Sequence, residues 1–224
     1  MDYEERYEQI QALKKLKNNM PLFGRYCFPT ALRKVTPPFH HEVYRDLSDD
    51  SVRRVLIAAP RGTAKSTVTT LIYPLWKVAF KPSDEDLFIV IISESQAQSI
   101  NFLSRIKYHL THSDKFKEIF GDYGPMTAKR WTNNDIVLAN GSRIIAVGTG
   151  QRVRGFIEGD TRPNLIIVDD FESELNAFTM EARAKNRKWI TEAVIPSLSD
   201  EGKIAMIGTV ISEDCFLYWA KESS

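Results

Sequence analysis

Four short apolar runs punctuate the chain, and each ends in small or polar residues. They are Val55 to Ala58, within a strand read over Val52 to Ala58, then Leu87 to Ile92, Leu165 to Val168, and Ile204 to Ile207 in a strand that opens on Lys203. Runs of this length, rich in Val and Ile, read as strands buried on both faces of a sheet. Between them lie segments with helical spacing. Residues 2–19 carry Tyr3, Tyr7, Ile10, Leu13 and Leu16 on one stripe, with acids in the first turns and lysines in the last. Phe39 to Leu47, Val68 to Phe80, Gln96 to His109, Asp114 to Phe120 and Met180 to Val194 are the other predicted helices. Met20 to Pro38 is aromatic and proline-punctuated and reads as an irregular packed segment. Pro74 falls inside a predicted helix and is expected to kink it. Asp135 to Leu138, Asn140-Gly141 and Arg143 to Val147 read as a hairpin, because Asn-Gly is a strong turn signal. Alternating strands and helices predict an α/β fold with a mainly parallel sheet and helices on both faces.

In open sheets of this kind, ligands bind beyond the carboxyl ends of the strands. The polar residues at those ends therefore carry the functional reading. After the first strand come Ala59-Pro60-Arg61-Gly62-Thr63-Ala64-Lys65-Ser66-Thr67. Strand, tight loop and helix, with Lys-Ser where the helix begins, form a P-loop pattern. The helix N-terminus attracts phosphate, Lys65 reaches the β- and γ-phosphates, and the Ser66 hydroxyl binds Mg²⁺. The usual G-x-x-x-x-G-K-[ST] pattern has glycine where this chain has Ala59 and Ala64. Gly62 is expected to supply a positive φ, and Ala64 to take a helical φ at the start of the helix.

After the third run come Asp169-Asp170, with Glu172 close behind. An apolar strand that delivers acids to the rim is a Walker B pattern. Asp169 would hold the Mg²⁺ shell, and Asp170 or Glu172 would orient or deprotonate the attacking water. Ser93-Glu94-Ser95 ends the second run, as a helix cap or as a ligand contact. Gly208-Thr209 ends the last run, where a hydroxyl can sense the γ-phosphate. Gly148 to Phe156 is a loop rich in glycine and arginine, and Arg152 and Arg154 offer forked donors suited to phosphate oxygens.

Composition changes little. A net charge of +1 over 224 residues makes any nucleic-acid surface a local patch. Cys27 and Cys215 are far apart, so two free thiols in a reducing compartment are expected. Adjacent His40 and His41 point about 100° apart on a helix and do not face one ion easily. The acidic, polar start and the lack of a run of about 20 apolar residues predict a soluble, intracellular protein.

The residues Pro60-Arg61-Gly62-Thr63-Ala64-Lys65-Ser66-Thr67, with arginine four places before lysine, resemble the variant Walker A of the large terminase subunits of tailed double-stranded-DNA bacteriophages. The Arg154-Gly155 loop, Asp169-Asp170-Phe171-Glu172 and Gly208-Thr209 follow in that family's order, and the resemblance covers roughly residues 39–210. It implies a P-loop ATPase of the RecA-like, additional-strand type that powers packaging of double-stranded DNA into a procapsid, using ATP and Mg²⁺. It also implies a homo-oligomeric ring, a portal and a small terminase subunit as partners, and the host cytoplasm as the place of action.

Carried over residue by residue, the resemblance makes Arg61 a P-loop arginine touching the γ-phosphate in cis. Lys65 and Ser66 keep their P-loop roles, and Asp169 is the Walker B acid. Asp170 or Glu172 is the catalytic carboxylate, Arg154 a finger offered to a neighbouring subunit, and Gly208 and Thr209 the coupling motif. The expected division is an N-terminal helical segment over 1–50 and an ATPase core over 51–224. This length leaves no room for the family's carboxyl-terminal nuclease domain, so no DNA cleavage is expected of the chain. A helicase-like remodelling ATPase and a non-catalytic nucleotide-binding assembly module are the rival readings.

Overall fold

The computed structural model describes residues 3–33, 36–151, 161–173, 177–210 and 215–222. Seven strands form one sheet: β1 (Arg54–Ala58), β2 (Phe88–Ser93), β3 (Arg130–Trp131), β4 (Asp135–Val137), β5 (Arg143–Gly148), β6 (Leu165–Asp169) and β7 (Lys203–Gly208). Their order is β1-β7-β6-β2-β5-β4-β3. The pairs from β1 to β5 are parallel, while β4 and β3 join as antiparallel strands. The hairpin turn between β4 and β5 uses Gly141 at φ +83°, a value Asn-Gly turns favour. Strand β7 lies between the strand that feeds the P-loop and the strand that carries the acids, which is the additional-strand, RecA-like arrangement.

The helices are α1 (Tyr3–Lys17), α2 (Met20–Cys27), α3 (Pro38–Ser48), α4 (Tyr73–Ala79), α5 (Gln96–His112), α6 (Asp114–Phe120), α7 (Met180–Trp189) and α8 (Phe216–Glu222). Alternation along the strands gives the sheet two apolar faces. Val55, Ile57, Ile89, Ile91, Ile144, Ile167 and Ile207 pack against α1 to α6. Val90, Ile92, Val147, Ile166, Val168 and Met206 pack against the region of α7 and α8. Among the described residues, no helix is long and apolar enough to cross a membrane.

Three expectations need correction. Strand β1 is not buried on both faces. It is the last strand of the sheet among the described residues, so Val55 and Ile57 face the core while Arg54 and Ala58 are exposed. Met20–Cys27 is a helix rather than an irregular segment. The Asn19 side chain accepts from the Leu22 N–H at 2.9 Å, a proline occupies the first turn, and Met20, Phe23 and Cys27 are buried. The stripe on α1 is mostly open, with Leu16 buried but Tyr7 and Ile10 exposed.

The effect of Pro74 takes a specific form. Thr67–Ile72, directly before α4, is π-helical, and the Tyr73 N–H donates to the Val68 carbonyl five residues back. Proline has no N–H to return to Thr70, so the preceding turn widens instead. The same device recurs at Ile190–Val194, two residues before Pro196.

The parallel registers align the strand ends. Ser93 pairs with Asp169 and with Gly148, Asp169 with Ile207, and Ala58 with Gly208. The polar residues that follow these ends therefore meet on one rim.

Candidate nucleotide site

The P-loop begins as β1 ends. The Ala59 N–H donates to the Gly208 carbonyl at 3.1 Å, and the Thr63 hydroxyl closes the turn on the Pro60 carbonyl at 2.8 Å. Gly62 takes φ +79° with open space around it. Ala64 takes φ +58°, which overturns its expected helical φ. This is left-handed backbone, which costs a residue with a Cβ, and it lies where the usual motif has glycine. The helix then starts, with the N–H groups of Thr67 and Val68 both bonding the Ala64 carbonyl, at 3.0 and 3.2 Å. A left-handed loop running into a helix N-terminus forms an anion-binding concavity. Arg61 is exposed on this loop.

Lys65 is buried, so its ammonium needs partners. Nζ donates to Thr209 Oγ1 at 3.1 Å and lies 3.9 Å from Asp170 Oδ2. Asp170 Oδ1 accepts from the Thr209 N–H at 3.2 Å, and the Thr209 hydroxyl donates to the Ala59 carbonyl at 3.3 Å. Asp170 sits at φ +44°, a region aspartate tolerates better than most residues, with its own N–H on the Ile207 carbonyl. Gly208 lies close to two side chains. A Cβ there would come within 2.6 Å of Leu217 Cδ1 and 3.3 Å of Asp170 Oδ1. Lys65, Asp170, Gly208 and Thr209 thus form one connected cluster.

Asp169 is fully buried beside this cluster. Ser66 Oγ donates to Oδ1 at 3.0 Å, the Thr70 hydroxyl donates to Oδ2, and the buried Ser93 hydroxyl donates to the Asp169 main-chain carbonyl at 2.8 Å. Burial pushes the Asp169 carboxyl up to about 6; the hydrogen bonds from Thr70 and Ser66 oppose the shift, Asp170 adds to it and Lys65 opposes it. Ser66 Oγ and the Asp169 carboxylate are hard oxygen donors side by side at the mouth of the P-loop, a donor pair that fits Mg²⁺.

Glu172 lies elsewhere. Oε2 accepts from the Phe216 N–H at the start of α8, at 2.6 Å, and Oε1 from Asn186 Nδ2 on α7 at 3.5 Å. Burial raises its carboxyl above the usual range. Of the two rival acids, the structure brings Asp170 to Lys65 and gives Glu172 to the helices. Ser95 caps α5, accepting from the Gln98 N–H at 3.2 Å, while Ser93 braces Asp169. Thr149, past β5, donates through its hydroxyl to the carbonyls of Ser93 and Phe171 at 3.0 and 3.2 Å. Arg152, Arg154, Gly155 and Phe156 lie outside the described residues.

Sequence reasoning missed Thr70, and it missed the roles of Ser93 as a brace for Asp169 and of His40 as a partner of the loop. Thr70 follows Ser66 by four residues, so helical spacing alone puts both hydroxyls on one face. Ser93 and Asp169 end neighbouring strands, which becomes visible only once the strand order is known. His40 Nε2 bonds the Thr63 carbonyl at 2.8 Å, and no local pattern signals that link.

The sheet order and flanking helices give a RecA-like, additional-strand fold. Neither a protein-family model nor a curated protein sequence matches the chain. Solved structures do. The chain superposes on the HK97 bacteriophage large terminase with a TM-score of 0.58 at 12% identity, covering 91% of this chain and 40% of that one. It superposes on a mutant large terminase ATPase domain of Thermus phage P74-26 with a TM-score of 0.55 at 14% identity, covering 86% of this chain and 72% of that one. The chain therefore has the fold of phage large-terminase ATPase domains, and it spans 40% of the length of the HK97 protein.

Proposed function

We propose that the chain is an ATP-hydrolysing motor domain that drives double-stranded DNA into a viral procapsid. The observation that carries this reading is the rim cluster in which Lys65, Asp170 and Thr209 meet beside the Ser66–Asp169 pair. The large-terminase fold supports the packaging role.

The P-loop amides and Lys65 hold the β- and γ-phosphates. Asp170 orients the attacking water and takes up its proton, because it is the acid that faces Lys65. Thr209 touches both Lys65 and Asp170, so loss of the γ-phosphate changes the partners of a residue at the end of β7. That gives Gly208-Thr209 a route for coupling hydrolysis to movement. Ser66 and Asp169 would hold Mg²⁺, which would neutralise charge on the phosphates. Exposed Arg61 serves the γ-phosphate in cis, and Arg154 serves a neighbouring subunit's site within a homo-oligomeric ring. The portal, the small terminase subunit and DNA are the partners, at the procapsid in the host cytoplasm.

Phosphate release by the wild-type chain and by Lys65→Ala tests the enzyme reading. Wild type is expected to hydrolyse ATP and the variant to lose activity by about 10²-fold or more. Equal rates would favour a non-catalytic module. Mixing Arg154→Ala chains with Lys65→Ala chains is expected to restore part of the rate once rings form, since a wild-type finger then faces an intact P-loop wherever the two variants are suitably adjacent. No recovery in proven rings would contradict action in trans.

A further inference from the structure

The peptide between Thr63 and Ala64 lies one residue before the Ala64–Lys65 peptide. Its carbonyl accepts a hydrogen bond from His40 Nε2 at 2.8 Å. His40 stands in the first turn of α3 and is buried at 3% exposure. The Phe39 ring meets it edge-on at 4.4 Å and the Tyr44 ring at 6.4 Å. The imidazole is therefore not a surface group that happens to touch the loop. Packing holds it in place, and its bond to the loop is partly buried.

In a trans peptide the C=O and N–H point in opposite directions. Anchoring the Thr63 carbonyl on α3 turns the Ala64 N–H away from α3. It also fixes one end of the only P-loop residue with a Cβ that is left-handed, Ala64 at φ +58°. A glycine at that place would adopt this backbone freely; an alanine needs its surroundings to impose it. The acceptor is a carbonyl, so the ring nitrogen that faces it carries the proton. Burial lowers the basicity of His40, the bond to the Thr63 carbonyl opposes that shift and the neighbouring His41 adds to it; a neutral ring with its proton on Nε2 satisfies the bond.

We propose that His40 is a positioning residue of the nucleotide site, holding the Thr63–Ala64 peptide from α3 in the orientation the phosphates require and so substituting for the glycine this loop lacks. The proposal rests on the reading of the loop as a phosphate site. It also gives a role to the segment before β1, which carries no other link to the P-loop through a side-chain hydrogen bond among the described residues.

The test is ADP–Mg²⁺ affinity of the full chain, by calorimetry, in wild type, His40→Phe, His40→Gln, Ala64→Gly and the His40→Phe/Ala64→Gly pair, with thermal melts alongside. Phenylalanine keeps the ring volume and removes the donor, whereas glutamine keeps a donor amide. His40→Phe is expected to weaken binding about tenfold, the scale of one well-made hydrogen bond. His40→Gln is expected to recover most of that loss, and in the Ala64→Gly background His40→Phe should cost no more than about twofold. Glutamine and phenylalanine binding equally weakly would reduce His40 to packing and overturn the proposal. So would a tenfold loss that persists in the double variant, or His40→Phe binding as wild type does. If wild type itself bound no ADP–Mg²⁺, the phosphate-site reading would fall first and the proposal with it.

Discussion

Asp169 has two opposed requirements. Burial raises its carboxyl from the ordinary 3.8 to about 6. A carboxyl whose folded value is raised favours the protonated folded state, so its contribution to stability is complete below the unfolded value and is lost as pH rises through about 6. For this group, the chain without nucleotide should be more stable near pH 4.5 than near pH 7.5 by on the order of 2 kcal/mol. Asp169→Asn should flatten that part of the profile, as followed by denaturant titration across pH. Binding has the opposite sign, because Mg²⁺ wants the ionised carboxylate. Mg²⁺–nucleotide affinity should therefore fall as pH drops below about 6 in wild type.

Ala64 makes a second prediction at this scale. Its left-handed φ is strained, and Ala64→Gly removes the strain while adding entropy to the unfolded chain. A net stabilisation of up to about 1 kcal/mol is expected from chemical denaturation. The sequence pointed to this position, since the absent glycine is conspicuous there. It could not show whether the backbone there was helical, as alanine prefers, or left-handed, and it is left-handed.

At the scale of elements, the long buried strands and the helices after them were legible because their periodicity is strong. Two things were not. Helix α2 was hidden by its prolines and aromatics, although Asn19 with a proline in the first turn is a start signal that composition obscures. Its importance lies in what it buries: Phe23 meets the rings of Phe28, Phe80, Phe116 and Phe120. Asn19→Ala should cost about 1 kcal/mol in unfolding free energy by removing the cap. The π-helical stretch before α4 was not legible either. Pro74 announces a fault in the helix, but the form of the fault depends on packing. Here the widened stretch contains Thr70, whose hydroxyl reaches Asp169.

At the scale of the whole molecule, the strand order converts separate motifs into one site. With β7 between β1 and β6, Gly208-Thr209 arrives between the P-loop and the acids and bonds to both. That the motifs share one rim followed from reading the sheet as mainly parallel; which of them touch depends on sheet order, which spacing along the chain does not encode. The same geometry separates two acids that lie two residues apart. Asp170 turns back over Lys65 through its positive φ, while Glu172 runs on to cap α8 and meet Asn186. Steady-state phosphate release by Asp170→Asn and Glu172→Gln tests this assignment most directly. Asp170→Asn is expected to lose about 10²-fold or more while Glu172→Gln, if folded, keeps a rate near wild type. Loss of hydrolysis in a folded Glu172→Gln with activity retained in Asp170→Asn would contradict it.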